Sequence, residues 1–241
     1  LASTPQLNWA GQTFVDAELE VWPSNQQWFG RVFANDLALD VAIPEDFLQQ
    51  PIVVNADFIQ LSSSLGVNST NNLREKEAQW QWVKRLPAID VNCKTCKLDD
   101  KSFVDLNAEV RPINGGIELS KFSTQSNNSS LQASGYWLVA DGNPVTQISG
   151  NLQSEDFGDL LREYGLETAI RDSSATLEFG LNWKGHPHQI DFTSLGGSMQ
   201  WELGQGYLAE VSDGGARLFS LLSLDGILRK LTLDFRDIFS Q

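Results

Sequence analysis

Residues 195–239 read LGGSMQWELGQGYLAEVSDGGARLFSLLSLDGILRKLTLDFRDIF. Met199, Trp201 and Leu203 alternate with Gln200 and Glu202, and Leu231, Leu233 and Phe235 alternate with Thr232 and Asp234. A period of two marks a half-buried strand. Gly196-Gly197 and Gly204-Gln205-Gly206 read as turns. Between the strands, from about Gly215 to Ser223, Leu218, Phe219, Leu221 and Leu222 make one side of a short helix apolar. The order is strand, turn, strand, amphipathic helix, strand, and it carries no catalytic constellation.

The same period recurs upstream. Leu37, Leu39, Val41 and Ile43 alternate with Ala38, Asp40 and Ala42; Leu106, Ala108 and Val110 alternate with Asn107 and Glu109; Leu177, Phe179 and Leu181 alternate with Glu178 and Gly180. Ala17 to Val21 is apolar at odd positions and acidic at even ones. Turn signals at Pro23-Ser24-Asn25, Asn114-Gly115-Gly116 and Asp141-Gly142-Asn143-Pro144 separate such runs. Roughly a dozen short-linked strands predict a mainly β fold built on an antiparallel sheet. A further helix is expected with Ser154 as N-cap, Phe157, Leu160, Leu161 and Tyr164 on its apolar side, and Gly165 as its stop. A soft boundary near residue 85 divides a β-rich segment, 1–85, from a region 86–241 that holds both helices.

The 31 acidic residues against 17 basic ones give a net charge of -14. This disfavours nucleic acid, whose phosphates demand clustered Lys and Arg, and docking to anionic headgroups through a basic patch. No apolar run approaches the ~18 residues of a membrane-spanning helix. Leu1 is not an initiator Met, and the chain is expected to be a fragment of a longer protein.

Cys93 and Cys96 are the two cysteines. A local disulfide, a thioredoxin-like redox pair, and half of a zinc site with His186 and His188 compete. Asp99 and Asp100 oppose a lowered thiol pKa. The sequence places a disulfide first, with no metal. Asp16, Glu18, Glu20, Asp99 and Asp100 read as solvated positions rather than paired catalytic carboxylates, and no nucleophile elbow, phosphate loop or metalloprotease motif occurs. Neither catalytic residues nor a cofactor are expected. The eight Trp residues fit core or rim packing.

One order of motifs goes further: Leu86-Pro87, Gly135-Tyr136-Trp137, Ile148-Ser149-Gly150, Asp156 to Leu161, Trp183-Lys184-Gly185-His186-Pro187, Leu195-Gly196-Gly197, Gly206-Tyr207-Leu208, Leu218 to Leu222 and Leu231 to Asp237. It resembles the C-terminal region of the AsmA-like family, YhdP branch, clearest after Gly150. The resemblance implies a periplasmic protein anchored in the inner membrane, a curved β-sheet forming an apolar groove, and non-enzymatic phospholipid transport between the inner and outer membranes of a Gram-negative envelope. Its partners would be phospholipid and, through other parts of the parent chain, the envelope membranes. On that reading Leu37, Leu39, Val41, Leu106, Ala108, Val110, Leu177, Phe179 and Leu181 are lipid-lining candidates. The alternative is a structural or protein-interaction β-module of the periplasm without lipid cargo.

Overall fold

The computed structural model describes residues 2–9, 12–61, 86–98, 101–126, 128–140, 143–163, 168, 170–187, 190–208 and 231–234. The expected boundary near residue 85, the helix at 215–223, Gly165 and His188 lie outside them.

The fold is mainly β. The strands are β1 (Ala2–Trp9), β2 (Gln12–Ser24), β3 (Gln27–Ala34), β4 (Leu37–Pro44), β5 (Ile52–Leu61), β6 (Ile89–Leu98), β7 (Lys101–Ile113), β8 (Gly116–Ser126), β9 (Ser129–Ala140) and β10 (Asn143–Ser154). They continue with β11 (Ile170–Arg171), β12 (Ala175–Lys184), β13 (Gly196–Leu203), β14 (Tyr207–Leu208) and β15 (Leu231–Asp234). A single described helix, α1, covers Phe157–Glu163. Hydrogen-bonded order follows chain order from β1 to β10 and on through β12, β13 and β15, while β11 pairs with β14. The chain packs as two compact units, residues 1–124 with 134–145, and residues 125–133 with 146–241.

In the first unit the hairpins β2–β3, β3–β4 and β7–β8 are tight. Ser24 pairs with Gln27 across Asn25 and Gln26, whose φ values of 51° and 60° are those of the two-residue turn that matches strand twist. One pairing departs from the expected antiparallel scheme: β5 and β6 are parallel, Ile52 opposite Ile89 through Leu61 opposite Leu98. Alternation within a strand reports the buried face and not the direction of the neighbour, so the sequence pattern is blind to it.

Ladder pairing skips one level across three neighbouring strands. Ala56 pairs with Cys93 and Phe58 with Thr95; Cys93 pairs with Leu106 and Thr95 with Val104. The residues passed over are Asp57, Lys94 and Asp105. Asp105 has φ 49°, a value Asp tolerates better than most side chains, and Lys94 Nζ lies 2.6 Å from Asp57 Oδ1.

In the second unit the helix covers a sheet face. Phe157 is buried with Ile170, Ala175 and Trp201, and Leu152, Leu160, Leu161, Leu177 and Leu203 pack around them. The helix start differs from expectation. Ser154 ends β10 and accepts a hydrogen bond from Ser129 Oγ, whereas Asp156 Oδ1 accepts the backbone N–H of Asp159 and is the cap. Both are good capping types; what decides is that the strand runs on to Ser154. Gly196-Gly197, expected as a turn, opens β13 instead and pairs with Asn182 and Leu181. Gly197 has φ 130° there, and a Cβ on it would fall 2.0 Å from the Gly180 carbonyl oxygen. The glycines serve close strand approach, not a reversal.

Candidate lipid-facing surface

Register partners in a sheet share a face. Applied across β3 to β7, this assembles two apolar rows. Val32, Leu39, Ala56, Cys93 and Leu106 form one; Gly30, Val41, Val54, Val91 and Ala108 form the next. Beyond them on the same face lie the pairs Trp28–Ile43 and Ile89–Val110. None of these positions is charged or polar apart from the cysteine. Leu37, opposite Ile59, also shares this face. The six first-unit lining candidates, Leu37, Leu39, Val41, Leu106, Ala108 and Val110, therefore come together on one sheet face.

Their burial is graded. Leu37 is 4% exposed and sits in a cluster with Phe14, Ala17 and Ala34, so it is a core residue at that end. Leu39, Val41, Leu106, Ala108 and Val110 are half-buried. Leu19 and Val21, which pair with Val32 and Gly30, are exposed, and so are Trp28 and Ile43. The face passes from packed core to apolar surface open to solvent. Exposed contiguous apolar area is unusual on a soluble monomer and marks a place where something binds.

The opposite face carries one polar row, flanked by Phe33, Ala38, Phe58 and Val104 on one side and by Phe29, Ala42 and Val53 on the other. Arg31, Asp40, Asn55, Asn92 and Asn107 are register partners in one row. Arg31 Nε donates to Asp40 Oδ1 at 2.7 Å, and that bond holds the guanidinium pKa above its ordinary value. Lys94 is raised likewise by its hydrogen bond to Asp57. Arg111 pairs with Asp90 at 2.5 Å and Glu109 at 3.1 Å. A depression of about 780 Å³ is bordered by this polar row. Of the nine lining candidates, Leu39 and Leu106 border it.

Cys93 Sγ and Cys96 Sγ are bonded at 2.03 Å. Residues three apart in a regular strand point to opposite faces. Here Cys93 is level with Ala56 and Leu39, and Cys96 with Ile59 and Leu37, so the skipped level at Lys94 brings both sulfurs to the apolar face, with Cα atoms 6.0 Å apart. The disulfide lies inside β6 rather than at a strand end. Among the described residues no group of three or more His, Cys, Asp or Glu side chains is placed to hold a metal.

In the second unit, Leu177, Phe179 and Leu181 pair with Trp201, Met199 and Gly197. Leu177 packs against the helix-covered cluster. Phe179 lies against Gly150, where a Cβ would come 2.7 Å from its Cζ. Leu181 is half-buried. Trp183 Nε1 donates to the His186 carbonyl at 2.9 Å, giving that buried indole and that histidine structural places. The polar row and the shared face of the cysteines are not visible in the sequence because both depend on cross-strand register; Asn55, Asn92 and Asn107, each flanked by apolar or Cys neighbours, are the available signal.

Among the described residues no helix is long and apolar enough to cross a membrane. No solved structure matches the chain. The intermembrane phospholipid transporter YhdP of Escherichia coli (strain K12) is 30% identical over 156 residues, which are 64% of this chain and 12% of that protein. The chain thus spans a small part of the length of the curated relative it matches. The family described as YhdP protein, which is not an enzyme class, matches residues 1–241. On that match, the chain belongs to the YhdP family.

Proposed function

We propose that this chain is a segment of a non-enzymatic phospholipid transporter of the Gram-negative envelope, acting in the periplasm, and that the apolar face of β3 to β7 shelters acyl chains in transit. The observation that carries the reading is the apolar face itself: two complete rows with neither charge nor polar group apart from Cys93, whereas the opposite face carries Arg31, Asp40, Asn55, Asn92 and Asn107, and Asp90 and Glu109, among its apolar residues. A phospholipid carries about 30 methylenes, and at about 0.8 kcal/mol each their exposure costs roughly 24 kcal/mol. Crossing water unaided is prohibitive, and an uncharged sheet face offsets most of that cost with no chemistry beyond alternation. The family and the name of the E. coli relative support lipid cargo. The parent would be anchored in the inner membrane and reach both membranes through parts outside this chain; nucleic acid has no place in the scheme.

The test is photo-crosslinking in the full-length parent, with the reactive group placed at each residue from 106 to 110. Lipid adducts at Leu106, Ala108 and Val110, and none at Asn107 and Glu109, are expected. Adducts without that period of two would remove the lining assignment. A complete lack of adducts would favour an interaction module without cargo.

A further inference from the structure

The polar face of the first unit has a use that lipid shelter does not supply. Its row of five residues, Arg31, Asp40, Asn55, Asn92 and Asn107, runs straight across β3 to β7, with polar groups repeating at the strand spacing of about 4.8 Å. It borders the 780 Å³ depression, together with Phe33 and Phe58. Phe33 is 54% exposed and pairs with Ala38, which sets it on the same face as Arg31. The row is preorganised. Arg31 is fixed by Asp40 at 2.7 Å and stands 5.9 Å over the Trp22 ring. Asn92 Nδ2 donates to Asn55 Oδ1 at 2.9 Å, and Asn107 Nδ2 donates to the Asp105 carbonyl at 2.8 Å. An amide side chain has two donors and an acceptor with two lone pairs, so each Asn keeps hydrogen-bonding capacity for a ligand.

The charges narrow the ligand class. Both cations of the depression, Arg31 and Lys94, are paired with carboxylates, and Asp105 adds a third carboxylate to the lining. An anion would have to displace a carboxylate from each cation while facing net negative charge. A free cation would find two of the three carboxylates already neutralised. A neutral, extended ligand dense in hydroxyl and amide groups suits the row, and an apolar ring face to lie on Phe33 completes the description. We infer that the depression on the polar face of β3 to β7 binds a neutral linear oligosaccharide, one sugar unit spanning about one strand spacing and Phe33 stacking on a sugar ring. No catalysis is attached to this site. Its polar lining lies on the face opposite the proposed lipid path, although Leu39 and Leu106 also border it.

Calorimetric titration of the whole chain with the β-1,4-linked N-acetylglucosamine hexamer and dimer tests the inference. Saturable binding is expected, at least about tenfold tighter for the hexamer because the dimer meets fewer strands. Asn92→Ala and Phe33→Ala should each weaken the hexamer by about tenfold, roughly one hydrogen bond or one ring contact, with unchanged circular dichroism. No saturable binding, equal affinity for dimer and hexamer, or binding indifferent to both substitutions would overturn it. Glycerophosphoethanolamine competing for the site would overturn it too, by reassigning the depression to a phospholipid headgroup. Photo-crosslinking of lipid at Ala108, which does not border the depression, should persist in Asn92→Ala, so the two readings fail separately.

Discussion

The two units solve the same problem in opposite ways. Both begin from strands that are apolar at every second residue. In the second unit a short helix lies over the face: Phe157, Leu160 and Leu161 close on Ala175, Leu177, Trp201 and Leu203. In the first, the face is packed at one end around Phe14, Ala17, Ala34 and Leu37 and becomes solvent-exposed through Leu19, Val21, Trp28 and Ile43. The contrast teaches that alternation writes an apolar face without saying what covers it. The cover has to come from elsewhere: a helix in one unit, and in the other, on the reading above, acyl chains.

The sharpest way to break the contrast is to remove the covered core. Trp201→Ala should destabilise the second unit by about 3–5 kcal/mol, as burial in a packed cluster demands, read by urea denaturation; a loss below 1 kcal/mol, on the order of a surface change, would mean the helix covers nothing that matters.

Breaking the disulfide comes next. Replacing Cys93 and Cys96 by Ala should cost about 2 kcal/mol by the chain-entropy estimate for a loop this short, lowering the midpoint of the first unit and leaving that of the second unmoved. Equal midpoints in oxidised and reduced wild-type protein would show that the bridge adds nothing to the open face.

A charge on the uncovered face should be milder still. Leu106→Asp is expected to cost about 1 kcal/mol, because the position is half-buried and the carboxylate can reach water, while lipid crosslinking in the parent disappears. Unfolding of the variant would instead make Leu106 a core residue like Leu37.

The smallest effect belongs to Asp191 in the second unit. Hydrogen bonds from Ser194 Oγ, Thr193 Oγ1 and the Thr193 N–H hold its pKa below the ordinary carboxylate value. A lowered folded pKa gives stability that is present above the unfolded value and lost as pH falls through the folded one. Asp191→Ala should therefore flatten the loss of stability between about pH 5 and pH 2, and acid titrations that superimpose would show that the carboxylate is idle.

Much of this was legible in the residues. The alternating runs at 37–43, 106–110, 177–181 and 199–203 lie in β4, β7, β12 and β13, because a half-buried strand has no other way to be written. The helix α1 is legible from Phe157, Leu160 and Leu161, though its cap, Asp156, lies two residues beyond the Ser154 that the sequence suggests. Gly196-Gly197 misled because glycine signals a turn and a close strand approach with the same letter. What could not be read was register. The Asn row, the shared face of Cys93 and Cys96, and the parallel pairing of β5 with β6 all arise from residues far apart in the chain meeting at one level.

That parallel pairing also bears on how the first unit folds. Its other described neighbours are hairpins whose partners lie close in sequence, and such contacts form quickly because little loop entropy is lost in closing them. Asn55 and Asn92 meet across 37 residues, and a parallel pair requires a crossover rather than a turn. Joining β5 to β6 is then expected to be the slow step of the unit. Until it happens, β1 to β5 and the strands from β6 onward are two separate meanders, and neither the acyl-sheltering rows nor the polar row exists in full. A kinetic experiment that follows one strand on each side of that join would see them fold at different times.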